Sequence, residues 1–179
     1  MDIPVHKIGD ICHMRVVCEV RPGKDDPIQT RITVNGNDIY YDGDVATPNR
    51  YLELVKLMII SVLSRPRAKF ACFDVKNFYL DTPLEESEYV WINTTDIPQE
   101  VLDEYTLLKF QHNEWIYFEI IRGCYGLKQS GKFANDLLRT RLEKSNYYEA
   151  ATTPGLWKQK WRPIQFVLIV DDFGVEYVG

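Results

Sequence analysis

Residues 166–179 read "FVLIVDDFGVEYVG". Five apolar residues, Phe166 to Val170, run straight into the adjacent Asp171 and Asp172, and Phe173, Gly174 and a second short apolar stretch follow. Neighbouring carboxylates repel and resist leaving water, so they sit poorly at the end of a strand that reads as buried. Upstream, "KFACFDV" at 69–75 also reads as a buried strand and ends at Asp74. If the strands ending at Asp74 and Asp171 are antiparallel neighbours in one sheet, three carboxylates converge. Divalent cations would offset the repulsion, and oxygen-only ligands suit magnesium. Two such ions about 4 Å apart would clamp the attacking and leaving oxygens of a phosphoryl transfer. Spacing alone leaves another reading open, with "DDFG" a tight hairpin turn and Asp74 a solvated strand end.

Working outward, "RVVCEV" (15–20) and "IQTRITV" (28–34) read as strands joined by "RPGKDDP", a run rich in turn residues. They form an antiparallel hairpin with Lys24 and Arg31 on its limbs. A helix should follow Thr47, a capping residue, and Pro48, which suits a first turn. Its inward face would carry Leu52, Val55, Ile59 and Val62, and Pro66 would end it. The stretch from 84 to 105 reads as acidic and irregular, "EWIYFEII" (114–121) as a strand, and "RGCYGLKQSGK" as a loop. A second helix over 133–148 turns Phe133, Leu137, Leu138 and Leu142 inward, and "PIQFVLIV" (163–170) is the last full strand. Strands and helices interleave without a parallel repeat, so the fold class is α+β: a sheet with helices against one face and a protruding hairpin.

The 179 residues suit a single domain, and 45% apolar and 13% aromatic residues are a globular composition. No apolar run is long enough for a membrane span, and "MDIPVHKIGD" lacks a secretory leader's basic and apolar regions. The expectation is an intracellular, non-secreted protein, cytoplasmic or nuclear, with its four cysteines reduced. None of them forms a C-x-x-C pair. The formal charge of −5 argues against a free-standing nucleic-acid binder.

Three ordered segments, "FDVKNFYLDTPL", "CYGLKQSG" and "LIVDDFGVEYVG", together resemble the reverse transcriptase of copia-like long-terminal-repeat retrotransposons. The upstream "VRPGKDDPIQTRITVNGNDIYYDGDVATP" is similar to the fingers of the same polymerases. The resemblance implies one fingers-and-palm fragment over 1–179. Its fingers-like parts would be 12–68 and 84–118, and its palm-like parts 69–83 and 119–179. An antiparallel palm sheet is expected, with no thumb.

The resemblance also implies an RNA-directed DNA polymerase that transfers nucleotides from deoxynucleoside triphosphates to a primer 3′-OH with two Mg2+ ions, or Mn2+. Asp74, Asp171 and Asp172 are implied as catalytic metal ligands, joined by the backbone carbonyl of Val75. Lys24, Arg31, Tyr79 and Gln129 are implied on the nucleotide, Tyr79 as the gate against a ribose 2′-OH. Gly126, Ile169 and Val170 would lie on the template–primer side. Ile169 stands where retroviral relatives carry tyrosine, and Ser130 where a smaller residue often follows the glutamine. Expected partners are an RNA or DNA template–primer and the remainder of a Pol polyprotein, with thumb and ribonuclease H, and no membrane. The alternative function is a decayed or co-opted fragment that keeps the fold as a nucleic-acid or protein binding module. A metal-dependent nuclease ranks last, because no histidine lies near either aspartate motif.

Overall fold

A computed structural model describes residues 3–23, 26–45 and 51–179, with only the backbone of Tyr51. The expected cap at Thr47 and Pro48, and Lys24, lie outside them. The chain is mixed α+β, and its strands form two sheets rather than one. It divides into two compact units, Met1–Val45 with Tyr79–Phe133, and Ala46–Phe78 with Ala134–Gly179. This division departs from the expected fingers and palm segments. The first helix belongs with the strands of the second unit, on which it packs, and the "CYGLKQS" loop belongs with the first.

In the first unit, β1 (Cys12–Val20) and β2 (Ile28–Val34) pair antiparallel from Met14↔Val34 to Val20↔Ile28. In the second unit follow α1 (Tyr51–Ser64) and β3 (Ala68–Asp74). The first unit continues with β4 (Pro83–Asn93), the short α2 (Gln99–Glu104), β5 (Gln111–His112) and β6 (Trp115–Arg122). Its sheet runs β2-β1-β4-β6-β5. Cys12, Val34, Ile39, Val90, Cys124 and Leu127 form its core. The stretch expected to be irregular thus holds an eleven-residue strand, β4. Glu85, Glu86 and Glu88 obscure its pattern, and Glu88 is buried because Lys7 and Gln129 satisfy it.

The second unit adds α3 (Ser130–Lys144), most of which lies in it, then β7 (Tyr147–Glu149), β8 (Leu156–Gln159), β9 (Ile164–Ile169) and β10 (Asp172–Val178). Its sheet runs β3-β10-β9-β8-β7. Trp157, Phe166 and Leu168 form the core on one face, covered by Leu138 and Leu142 of α3. Glu176 is one position out of phase with Val175, so it points to the other face. There it meets Arg65, just beyond α1, so helices cover both faces and not one.

Three further expectations change. β9 is not the last full strand, since β10 follows and lies between β3 and β9, paired along its length with both. β3 is an edge strand rather than a buried one, with Phe70 and Phe73 exposed. On α1 the buried residue is Met58, flanked by half-buried Val55 and Val62, while Leu52 and Ile59 are exposed. The helix is apolar nearly all round, so periodicity did not single out the face that packs.

Burial pushes the Cys12 thiol up to about 12, with Asp38 and Glu88 adding to it, and burial raises Cys124 as well. Cys18 and Cys72 are exposed. Since the thiolate is the reactive form, Ellman's reagent at pH 8 should titrate Cys18 and Cys72 quickly in the native protein. Cys12 and Cys124 should react only after denaturation. Four fast thiols without denaturant would contradict this packing.

Candidate functional site

The three aspartates stand at one corner of the second unit's sheet. Asp172 is the direct cross-strand partner of Asp74, and Asp172 also pairs with Ile169 to close the β9–β10 hairpin. Val170 and Asp171 are therefore the two turn residues. The Val75 amide donates to the Asp171 carbonyl at 2.9 Å, tying the end of β3 to the turn. The sequence led to the expectation that β3 and the strand running into Asp171 are neighbours; they are not, because β10 lies between them, yet the turn still brings Asp171 and Asp172 beside Asp74. Register achieves this through β10.

Val170 adopts φ 58, in the left-handed region. A β-branched residue is an outlier there. Such strain persists only where its surroundings impose it, and it gathers at functional sites. Burial pushes the Asp171 carboxyl above its ordinary range. A backbone hydrogen bond opposes the shift, and the charges of Asp172 and Asp74 add to it. Among the described residues, no three His, Cys, Asp or Glu side chains gather closely enough to hold a metal ion. The donor chemistry, three carboxylates with a mutual charge penalty, fits a hard divalent cation.

Arg31, Tyr79, Gly126 and Gln129 lie in the first unit. Arg31 on β2 and Tyr79 are linked by Tyr125. The Arg31 guanidinium lies over the Tyr125 ring, 5.4 Å from its centroid, and Tyr79 meets the same ring edge-on at 5.5 Å. The Tyr125 carbonyl accepts from the Val34 amide at 2.8 Å, and Thr33 and Tyr125 form a β-bridge.

Gln129 was implied at the nucleotide, but it is buried. Its Nε2 donates to Glu88 at 2.8 Å, and Glu88 is in turn 3.1 Å from Lys7 Nζ. Burial alone would lower the Lys7 pKa, but its hydrogen bond and charge interaction with Glu88, together with Glu86, raise it overall. The Gln129 carboxamide therefore anchors its loop to β4 and the N-terminal turn.

Gly126 has φ 96, and a Cβ there would overlap the Val34 carbonyl oxygen. Its freedom lets the loop backbone approach β2 rather than a substrate. Gly126→Ala should cost at least about 2 kcal/mol, the sum of left-handed strain and a backbone clash. A urea midpoint unchanged by it would refute this close approach.

Tyr125, Glu88 and Lys7 were not singled out from sequence. Tyr125 stands just before the glycine of the loop motif, and that adjacency was the available signal. No protein-family model, no curated protein and no solved structure matches the chain.

Proposed function

We propose that this chain is the fingers-and-palm part of an RNA-directed DNA polymerase of the copia-like retrotransposon kind. It would transfer nucleotides from deoxynucleoside triphosphates to a primer 3′-OH inside the cell. The observation that carries this reading is the corner at β3 and β10. Asp172 is the partner of Asp74, and Asp171 sits in a strained turn tied to Val75. Three acids brought together by register, at a cost in charge, have no evident use in folding and suit a site for divalent cations.

Asp74, Asp171 and Asp172 would hold Mg2+ or Mn2+, with the Val75 carbonyl beside them. When bound, these ions would neutralise charge on the reacting phosphate and acidify the attacking hydroxyl. Arg31, and Lys24 outside the described residues, would grip the triphosphate, with Tyr79 beside the sugar. Gly126 and Val170 would act mainly through the shape of their turns, and Ile169 by closing the β9–β10 hairpin against Asp172.

Calorimetric titration of dTTP into the chain with Mg2+ tests the reading. Saturable binding is expected, weakened about tenfold or more by Arg31→Ala, since charge-assisted hydrogen bonds to phosphate are worth roughly 1.5–3 kcal/mol. Absence of saturable binding would overturn the proposal. Primer extension on poly(rA)/oligo(dT) gives a separate expectation. With 21 basic against 26 acidic residues, the chain has few cations to spare for phosphates, and template affinity rests mainly on such contacts. No processive extension is expected above an Asp171→Asn blank, and clear extension would show the chain to be self-sufficient.

A further inference from the structure

We propose that Tyr125 is a positioning residue, whose ring presents the Arg31 guanidinium to a nucleotide triphosphate and ties it to the sugar-side Tyr79. The inference rests on the nucleotide-binding reading above and goes beyond it, to a residue that no motif assigned.

The case starts with how Arg31 is held. Its Nη2 donates to Gln29 Oε1 at 3.3 Å, and its flat face lies on the Tyr125 ring. Its Nε is buried and has no hydrogen-bond partner, and among the described residues no carboxylate forms an ion pair with it. A carboxylate would orient a guanidinium by neutralising it and using up its donors. An aromatic face orients it through the ring quadrupole and leaves the charge and the N–H groups free. An unsatisfied buried donor is costly unless some acceptor completes it. A phosphate oxygen is the acceptor whose charge and geometry match a guanidinium. Thr33, two residues on and on the same side of β2, also has a buried hydroxyl with no partner. Two unspent polar atoms therefore lie on the strand face that carries Arg31.

The second part is rigidity. The Tyr125 backbone is pinned to β2 by the Val34 amide and by its bridge to Thr33. Gly126 packs so tightly on Val34 that no Cβ fits. Tyr79 is held on its own side, since Gly123 packs against its carbonyl with no room for a Cβ and Thr82 donates to that carbonyl at 2.9 Å. Tyr125 is thus a fixed post between the two residues. Moving its ring would shift the triphosphate contact and the sugar contact together.

The test combines binding of dTTP and of UTP with an NMR observation on the wild type. Tyr125→Phe keeps the ring and should bind dTTP within twofold of wild type. Tyr125→Leu keeps the bulk without the quadrupole. It should weaken dTTP binding roughly 3- to 30-fold, the range of one cation–π contact, and reduce the preference for dTTP over UTP. A purely structural role would not change that preference while the unfolding temperature is held. In the wild type, dTTP should shift the Arg31 Nε–H resonance as the orphan donor finds an acceptor. This observation stands even if Tyr125→Leu fails to fold.

The outcomes separate the two ideas. If wild type binds no dTTP, or Arg31→Ala binds as well as wild type, the nucleotide reading falls and this inference with it. If Arg31→Ala weakens binding but Tyr125→Leu keeps wild-type affinity and preference, only the role of Tyr125 is overturned. An unmoved Arg31 Nε–H signal at saturating dTTP overturns it as well.

Discussion

Arg65→Met is expected to cost about 3–5 kcal/mol of folding stability, the range for removing one partner of a buried ion pair. Glu176 lies on the central strand β10 and its side chain is fully buried, while Arg65 is about half exposed. Arg65 Nη1 stands 2.9 Å from Glu176 Oε1, but off line for a hydrogen bond, so that oxygen has a charge partner and no donor. Gln165 donates to Oε2 at 2.7 Å. Loss of Arg65 would leave an anion buried with one neutral donor, whereas loss of Glu176 would leave only a cation that water can reach. Arg65→Met should therefore be the worse of the two single changes. The double variant Arg65→Met/Glu176→Leu should recover much of the loss, because no charge then stays buried. Small domains are stable by only 5–15 kcal/mol, so the single variant stands near unfolding at 37 °C. Urea titrations followed by tryptophan fluorescence would show this. A double variant no more stable than Arg65→Met would mean that Glu176 is not the source of the cost.

The same pair shows what the sequence could and could not disclose. β2 was read with its true ends, because alternation and the turn residues before it agree. β6 was read within one residue at each end, from its apolar run, whereas the second helix was read too late: α3 begins at Ser130 and ends at Lys144, and Tyr147 and Tyr148 belong to β7. The failures share one cause: a residue's environment was set by a partner distant in sequence. Glu88 made β4 look like loop, although Lys7 and Gln129 satisfy it from elsewhere in the chain. "FACF" looked like a core strand, yet β3 has a neighbour on one side only. "VEYV" read as a short apolar stretch rather than a full strand, while Glu176 within it is buried on the central strand β10.

At the candidate site, residue types and order were legible but topology was not. Adjacent aspartates after an apolar run do suggest a hairpin. That the returning strand, rather than the leading one, abuts β3 is decided by packing. Gln129 was implied beside the nucleotide by its motif, and its sequence neighbours gave no sign that its carboxamide is buried against Glu88. Tyr125 left almost no trace, because a ring acting on two residues far off in sequence has no local pattern.

Asp171→Asn should reverse its effect on stability when a divalent cation is added. Burial, with the charges of Asp172 and Asp74, raises the Asp171 carboxyl above the ordinary aspartate value. A raised carboxyl means that the fold favours the protonated form. The stability it contributes is present below the unfolded value and is lost as pH rises through the folded one. At pH 7 in EDTA the ionised group therefore burdens the fold. Asn should stabilise it, by no more than about 1 kcal/mol once solvent screening is allowed for. On acidification toward pH 4 wild type should close the gap, because it gains a proton that the variant cannot take. With Mg2+ at a hundred times its dissociation constant, wild type should gain about 2.7 kcal/mol by mass action, and the variant far less, having lost a charged ligand. Thermal melts of both proteins in EDTA and in Mg2+, at pH 4.5 and pH 7, measure all four corners. If Mg2+ stabilised both proteins equally, the corner formed by Asp74, Asp171 and Asp172 would not be a metal site. The strain at Val170 would then need another cause.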